Sequence, residues 1–249
     1  VATPIGSARD ITLRGLDILA SADLLAAEDT RTARKIMEIH GVPLNGRQVV
    51  AFHDHTHDAA TRRFVDAIAA GKSVAYVSEA GTPLIADPGY EMGRAVIEAG
   101  LPVTTAPGAS AVLAALTVSG LPTDRFAFVG FLPASKQQRE TEIAQLRDTP
   151  FTLVFYESPK RVSFMLNSLR DVLGGDRQAV VCRELTKKFE ETQRGSLDDL
   201  VAEFDSRTVK GELVVLVGRA GATDVAEMDV ETALRNAMKT MRVKDAATV

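Results

Sequence analysis

The sequence predicts an α/β protein of two domains, each a sheet covered by helices, with a cleft between them. Three observations predict it. Short apolar runs alternate with amphipathic stretches of helical period through the first half of the chain. A turn-forming segment, Gly120-Leu121-Pro122-Thr123-Asp124, interrupts the alternation. Beyond it the pattern restarts. The expected organisation is therefore an N-terminal domain over residues 1–120, a C-terminal domain over 121–220 and a helical extension over 221–249.

In order, Leu24 to Ala27 reads as a strand and Thr30 to His40 as a helix closed by Gly41. Val49 to Phe52 is a strand. Asp58 to Ala70 is a helix, with Phe64, Val65 and Ile68 on one face and Gly71 after it. Ser73 to Val77 is a strand, Tyr90 to Ala99 a helix stopped by Gly100, Pro102 to Thr105 a strand, and Ser110 to Val118 a helix. Short connections between such elements predict a parallel sheet with helices on its faces. In the second half, Phe126 to Phe131 is a strand and Lys136 to Arg147 a polar helix. Phe151 to Tyr156 is a strand, and Ser158-Pro159 caps and opens a helix to Leu173. Ala179 to Arg183 is a strand, Ser196 to Asp199 caps a helix to Phe204, and Leu213 to Val217 is the last strand. Asp229 to Met241 reads as a final helix. Val1-Ala2 reads as the tail of a strand, and Thr248-Val249 ends the sequence without a helix cap, so trimming or disorder is expected at both ends.

Composition bounds the partners. The chain has 249 residues, 45% hydrophobic and 25% charged, as in ordinary globular proteins. No apolar run reaches the roughly 18 residues needed to cross a bilayer, and no signal peptide is visible. Cys182 is the single cysteine, which excludes an intrachain disulfide and fits a reducing cytoplasm. The net charge of −4 counts against binding naked nucleic acid through bulk charge. Any RNA contact must rest on local clusters such as Arg31, Arg34 and Lys35, or Lys187 and Lys188, which equally suit solvated helix faces.

The most informative segment is Ser78-Glu79-Ala80-Gly81-Thr82-Pro83, continued by Leu84-Ile85-Ala86-Asp87-Pro88-Gly89. It follows an apolar strand, so it lies at the sheet edge where α/β proteins bind ligands. Gly81 allows a close backbone approach and Pro83 stiffens the turn. The segment has no phosphate-loop signature. It is accompanied by Thr3-Pro4-Ile5-Gly6, Ala27-Glu28-Asp29-Thr30-Arg31, Pro107-Gly108-Ala109-Ser110-Ala111, Gly130-Phe131-Leu132-Pro133, Phe155-Tyr156-Glu157-Ser158-Pro159 and Arg183-Glu184-Leu185-Thr186-Lys187. In this order the set resembles the small-subunit (16S) ribosomal RNA cytidine 2′-O-ribose methyltransferases, within the tetrapyrrole methylase superfamily of S-adenosylmethionine enzymes.

The resemblance implies a cofactor, S-adenosylmethionine, in the cleft between the domains. It places Pro4, Ile5 and Gly6 in one wall, Glu79, Ala80, Gly81, Thr82 and Pro83 in the central cofactor loop, and Ser110 and Ala111 at a helix start. Tyr156 and Glu157 face the cofactor from the other side. Two positions depart from the family pattern: Glu79 stands where Asp is usual, and Lys160 where His is frequent. Asp29 matches the strand-end acid near the acceptor in relatives and is a candidate base; equally, Asp29 or Thr30 caps the following helix. Arg31, Lys136, Arg139, Arg183 and Lys187 are the expected substrate-binding residues, although Arg183 and Lys187 also suit a structural ion-pair network. The implied partners are small-subunit rRNA or the assembled subunit and a second copy of the chain in a homodimer, with no membrane.

Two rivals remain open. One is a methylase of a corrin or porphyrin precursor, against which the opening lacks a Gly-Pro-Gly-Asp loop. The other is a non-catalytic RNA-binding assembly factor with the same fold. His53, His55 and His57 would share a face of a strand, but no fourth ligand stands at characteristic spacing, so no metal is expected. With no Trp and 3 Tyr, no aromatic stacking platform is evident in the sequence.

Overall fold

A computed structural model describes residues 1–52, 57–87, 89–220 and 238. A short 3-10 turn, Ala8–Asp10, precedes α1 (Leu13–Ser21), β1 (Leu24–Ala27), α2 (Thr30–Ile39), β2 (Val49–Ala51), α3 (His57–Ala69), β3 (Val74–Val77), α4 (Gly89–Glu98) and α5 (Ala111–Ser119). Then follow β4 (Phe126–Phe131), α6 (Lys136–Gln145), β5 (Thr152–Glu157), α7 (Val162–Leu173), β6 (Gln178–Arg183), β7 (Glu191–Ser196), α8 (Leu197–Asp205) and β8 (Leu213–Val217).

The first sheet has the order β2-β1-β3, and both of its pairings are parallel, as the alternation predicts. Alternate residues of each strand enter different cores. Leu25, Ala27, Ala75 and Val77 pack with Leu19 of α1 and Met37 of α2. Ala26 and Tyr76 pack with Phe64 of α3 and Met92 and Val96 of α4. The helices therefore cover both faces, and the strands carry almost no polar side chains.

The second sheet has the order β4-β5-β8-β6-β7 and is mixed: only β4 and β5 are parallel, and the remaining pairs are antiparallel. The restart of alternation past Gly120 thus does not bring a second parallel sheet. β8 shows the period of 2 most clearly. Leu213, Val215 and Val217 face α6, α7 and α8, whereas Val214 and Leu216 face α5. α5 is apolar nearly all round; Val112, Ala115 and Leu116 pack on the second sheet, whereas Leu113 stays exposed.

Four sequence expectations change. Pro102 to Thr105 forms no strand: Pro102 has no N–H to donate, Val103 to Thr105 are exposed, and the segment's tie to the core comes from Ala106, whose carbonyl accepts from Ala2 N at 3.2 Å. The helix expected at Ser158-Pro159 starts one turn later, at Val162, because Glu157 Oε1 accepts from Ser158 N at 2.7 Å and a turn closes through Ser158 O. Two elements, α1 and β7, are not signalled by the sequence. α1 carries an interior glycine, Gly15, and starts where Thr12 Oγ1 accepts from Gly15 N at 3.0 Å. β7, Glu-Thr-Gln-Arg-Gly-Ser, is a polar edge strand with no apolar period. His53 and His55, Pro88 and the final helix expected over Asp229 to Met241 lie outside the described residues.

Candidate active site

The loops singled out by the sequence converge at the carboxyl ends of β1 and β3. Thr3 and Gly81 form an isolated antiparallel bridge, each donating its N–H to the other's carbonyl at 3.0 Å. Beneath it, buried Thr3 Oγ1 lies 3.2 Å from Ser78 Oγ, which donates to Gly81 O at 2.6 Å. Thr82 Oγ1 donates to Ala109 O at 3.0 Å, joining this loop to the start of α5. There Ser110 caps the helix, its Oγ accepting from Leu113 N at 3.5 Å, and Ala111 follows as the first helical residue.

Ile5 enters the core formed by α5 and the second sheet, with Ala109, Ala111 and Tyr156 packed around it. Pro4 is buried beside it, and Gly6 meets Leu185, Thr186 and Lys187. Ser7 N donates to Thr186 Oγ1 at 3.0 Å, which sews the N-terminal segment to the loop after β6. Tyr156 packs with Ala109, Ala111 and Val112 at the start of α5, and burial raises its phenol pKa, with Glu212 adding to the rise. Residues 3–6, 78–83, 109–111 and Tyr156 therefore form one continuous wall. Pro83 is half-buried in it, and two non-glycine residues with positive φ follow, Leu84 at 67° and Ala86 at 52°.

Carboxylates line the rim. Glu28 Oε2 accepts from Glu79 N at 2.9 Å and so anchors the loop. Burial raises the pKa of Glu28, and Asp87 and Glu79 add to the rise. The carboxylates of Glu79 and of its neighbour across the rim differ in freedom: that of Glu79 has no hydrogen-bond partner among the described residues and is exposed. Asp87 Oδ1 accepts from the Tyr76 hydroxyl and from Gly89 N, both at 2.6 Å.

Asp29 does not suit the role of base. Its Oδ1 caps α2, accepting from Arg31 N at 2.7 Å and Thr32 N at 3.4 Å, and its Oδ2 lies 2.9 Å from Arg31 Nη2. The Arg31 side chain and these amides hold its carboxyl at about 2, leaving a weak proton acceptor at neutral pH. Asn caps as well as Asp. D29N is therefore expected to keep the fold and to keep the activity that the resemblance implies within about 5-fold of wild type, whereas loss of a general base costs about 100-fold or more. Rates at several pH values check this.

The expected substrate-binding cations divide. Arg31 and Lys136 are exposed, Arg31 clasped to Asp29 and Lys136 near Glu140 at 3.4 Å. Arg139 is buried at 5% exposure, and its guanidinium donates to Ser168 Oγ, Pro133 O and Ala134 O, which leaves no free face for a substrate. Lys187 Nζ is held by Glu184 at 2.9 Å and Glu212 at 2.7 Å. Arg183 pairs with Glu191 at 2.8 Å, and Arg207 reaches the other oxygen at 2.7 Å. The last two expectations thus meet a structural network. Glu157 is likewise turned inward, fully buried, with Arg161 at 3.3 Å.

The Glu191 network makes a pH-dependent prediction. Burial opposes ionisation of Glu191, but hydrogen bonds from Arg207, Gln193 and Arg183 outweigh it and hold the group at about 2. A depressed folded pKa stabilises above the ordinary value of 4.5, and that contribution fades as pH falls toward 2. E191Q is expected to lose about 1–3 kcal/mol at pH 7, with the gap to wild type closing below pH 4. Urea unfolding at several pH values reads it.

The match to known proteins decides what kind of site this is. Residues 1–201 match the family model of tetrapyrrole (corrin/porphyrin) methylases. The chain belongs to the tetrapyrrole methylase family. Within that family it is 44% identical to a protein of Mesorhizobium japonicum named ribosomal RNA small subunit methyltransferase I, over 99% of this chain and 83% of that protein. Among solved tetrapyrrole methylase folds, the methyltransferase CobJ superposes with a TM-score of 0.66 at 21% identity, covering 88% of this chain and 92% of that one. A uroporphyrin-III C-methyltransferase from Thermus thermophilus, complexed with S-adenosyl homocysteine, gives 0.58 at 20% identity over 88% of this chain and 96% of that one. Among the described residues, no helix is long and apolar enough to cross a membrane.

Proposed function

We propose that the protein transfers a methyl group from S-adenosylmethionine to the ribose 2′-hydroxyl of a cytidine in small-subunit ribosomal RNA. The near-complete, 44%-identical match to a ribosomal RNA small subunit methyltransferase I carries this reading. When bound, the cofactor supplies an electrophilic methyl on a sulfonium centre.

The residues of the wall suit such a group. The partner-free carboxylate of Glu79 can accept from a ribose diol or an ammonium, and the acidic rim of Glu28, Glu79 and Asp87 favours a cationic donor. The extra methylene of Glu79 relative to Asp lengthens its reach without changing its chemistry. Glu28 acts as a positioning residue by holding Glu79 N, and Thr82 ties the loop to α5. The start of α5, capped by Ser110, adjoins the same wall through Thr82 and Ala109. These contacts fix the loop that would hold the donor, and alignment of donor with acceptor is the main demand of a displacement at a methyl carbon.

Substrate contact falls to Arg31 and Lys136 and, through electrostatics only, to the paired Lys187. The protein works in the cytoplasm, as a homodimer. Tritium transfer from labelled cofactor to small ribosomal subunits of a strain lacking the protein, with stripped rRNA in parallel, tests the reading. Label on a cytidine ribose supports it. Cofactor binding without label on either RNA form overturns the acceptor assignment.

A further inference from the structure

Phe131 is a large aromatic residue left in the open: it is 57% exposed at the end of the edge strand β4, between buried Gly130 and buried Leu132. Its position results from a local irregularity. β4 and β5 pair in parallel as Phe126 with Thr152, Ala127 with Leu153 and Phe128 with Val154. The register then slips, and Gly130 pairs with Phe155 and Phe131 with Tyr156. Val129 is the extra residue, and Gly130 takes a φ of 82°, which favours glycine.

The slip has a consequence for facing. Ala127 and Val129 point to the core under α6, α7 and α8, and Phe128 to the core under α5. Strict alternation would send Phe131 to the α6 side. The bulge reverses it. Phe131 instead stands on the α5 side, its ring 5.6 Å from that of Tyr156, while Leu132 drops into the opposite core. Tyr156 also holds Phe128 at 4.8 Å and packs in the core that contains the first turn of α5. The ring of Phe131 is thus fixed on one side by Tyr156 and open on the other, at the end of the wall that runs through Ala109, Ser110 and Gly81.

We propose that Phe131 is a stacking surface for a nucleobase at the end of this wall. The inference rests on the reading above, in which both donor and acceptor carry a nucleoside. Its chemistry is the π-face of a purine or pyrimidine against a rigid phenyl ring. Two sources present that face, the adenine of the cofactor and a base of the RNA, and binding measurements separate them.

The test uses the full chain with F131A, F131L and F131Y. Affinity for S-adenosylhomocysteine is measured by calorimetry and affinity for unmethylated small ribosomal subunits by filter binding, so neither depends on turnover. Alanine substitution at base-stacking aromatics weakens binding by about 5- to 150-fold. F131A and F131L are expected to lose affinity in that range in one arm, and F131Y to stay within about 2-fold of wild type. A loss in the first arm assigns adenine, and in the second an RNA base. The proposal is overturned if F131L binds both ligands like wild type. It is also overturned if F131A changes only self-association in sedimentation. If wild-type protein binds no subunits, the acceptor reading fails separately and the calorimetric arm alone decides, unchanged affinity there overturning the proposal.

Discussion

Replacing Gly6 by alanine is expected to lower stability and cofactor affinity together. A β-carbon at this position would lie 2.5 Å from Lys187 Cγ, 2.5 Å from Thr186 Oγ1 and 2.9 Å from Leu185 O. None of these can step aside freely. Thr186 Oγ1 accepts from Ser7 N, and Lys187 is fixed by two carboxylates. The backbone of the opposing loop is itself constrained, with Glu184 at φ 51° and Thr186 at φ 65°. Inserting a methyl into such a seam costs about 1–3 kcal/mol, which lowers the melting temperature of a chain of this size by roughly 2–12 °C. Because Ile5, the preceding residue, forms part of the wall, the shift reaches the cofactor loop through Thr3 and Gly81. Thermal melts and calorimetry with S-adenosylhomocysteine read the two effects. A variant that melts and binds like wild type would mean that the seam yields.

Much of this arrangement is legible in the sequence, for physical reasons that differ by element. β1, β3 and β8 are buried on both faces, so they appear as unbroken apolar runs. The loop at Ser78 to Pro83 announces itself because a glycine and a proline follow such a run directly. What stays hidden is whatever depends on partners distant in sequence. β7 forms because β6 offers a free edge, and nothing within Glu191 to Ser196 signals it. Arg139 looks like a surface cation on a polar helix, and only Ser168 and two carbonyls from the preceding turn show it to be internal. Asp29 has the same signature as a base and as a cap, and the hydrogen bonds to Arg31 and Thr32 decide between them. The facing of Phe131 is hidden because a period of 2 would send it to the opposite face; Gly130 inside a strand run is the sign of the bulge.

The largest effect on methyl transfer is expected from Gly81→Ala. Gly81 has a φ of 77°, where an L-residue pays about 1–2 kcal/mol. The chain cannot escape that penalty by rotating. Both the N–H and the carbonyl of Gly81 are bonded to Thr3 at 3.0 Å, and the carbonyl also accepts from Ser78 Oγ. The new β-carbon would lie 3.3 Å from Ile5 Cγ2, which is tight, and 3.6 Å from Ala109 O, an ordinary contact. Relief must come from displacing the loop that carries Glu79 and Thr82. Stability therefore changes modestly, by the strain alone, whereas chemistry that depends on alignment responds steeply, since a misplacement of about 1 Å costs on the order of 100-fold. Gly81→Ala is expected to reduce the rate of methyl transfer by about 10- to 100-fold while its unfolding midpoint moves by no more than the strain requires. Single-turnover transfer at saturating cofactor separates misalignment from weakened binding. A wild-type rate there, with the strain visible in unfolding, would show that the bridge holds the fold and leaves the reacting atoms untouched.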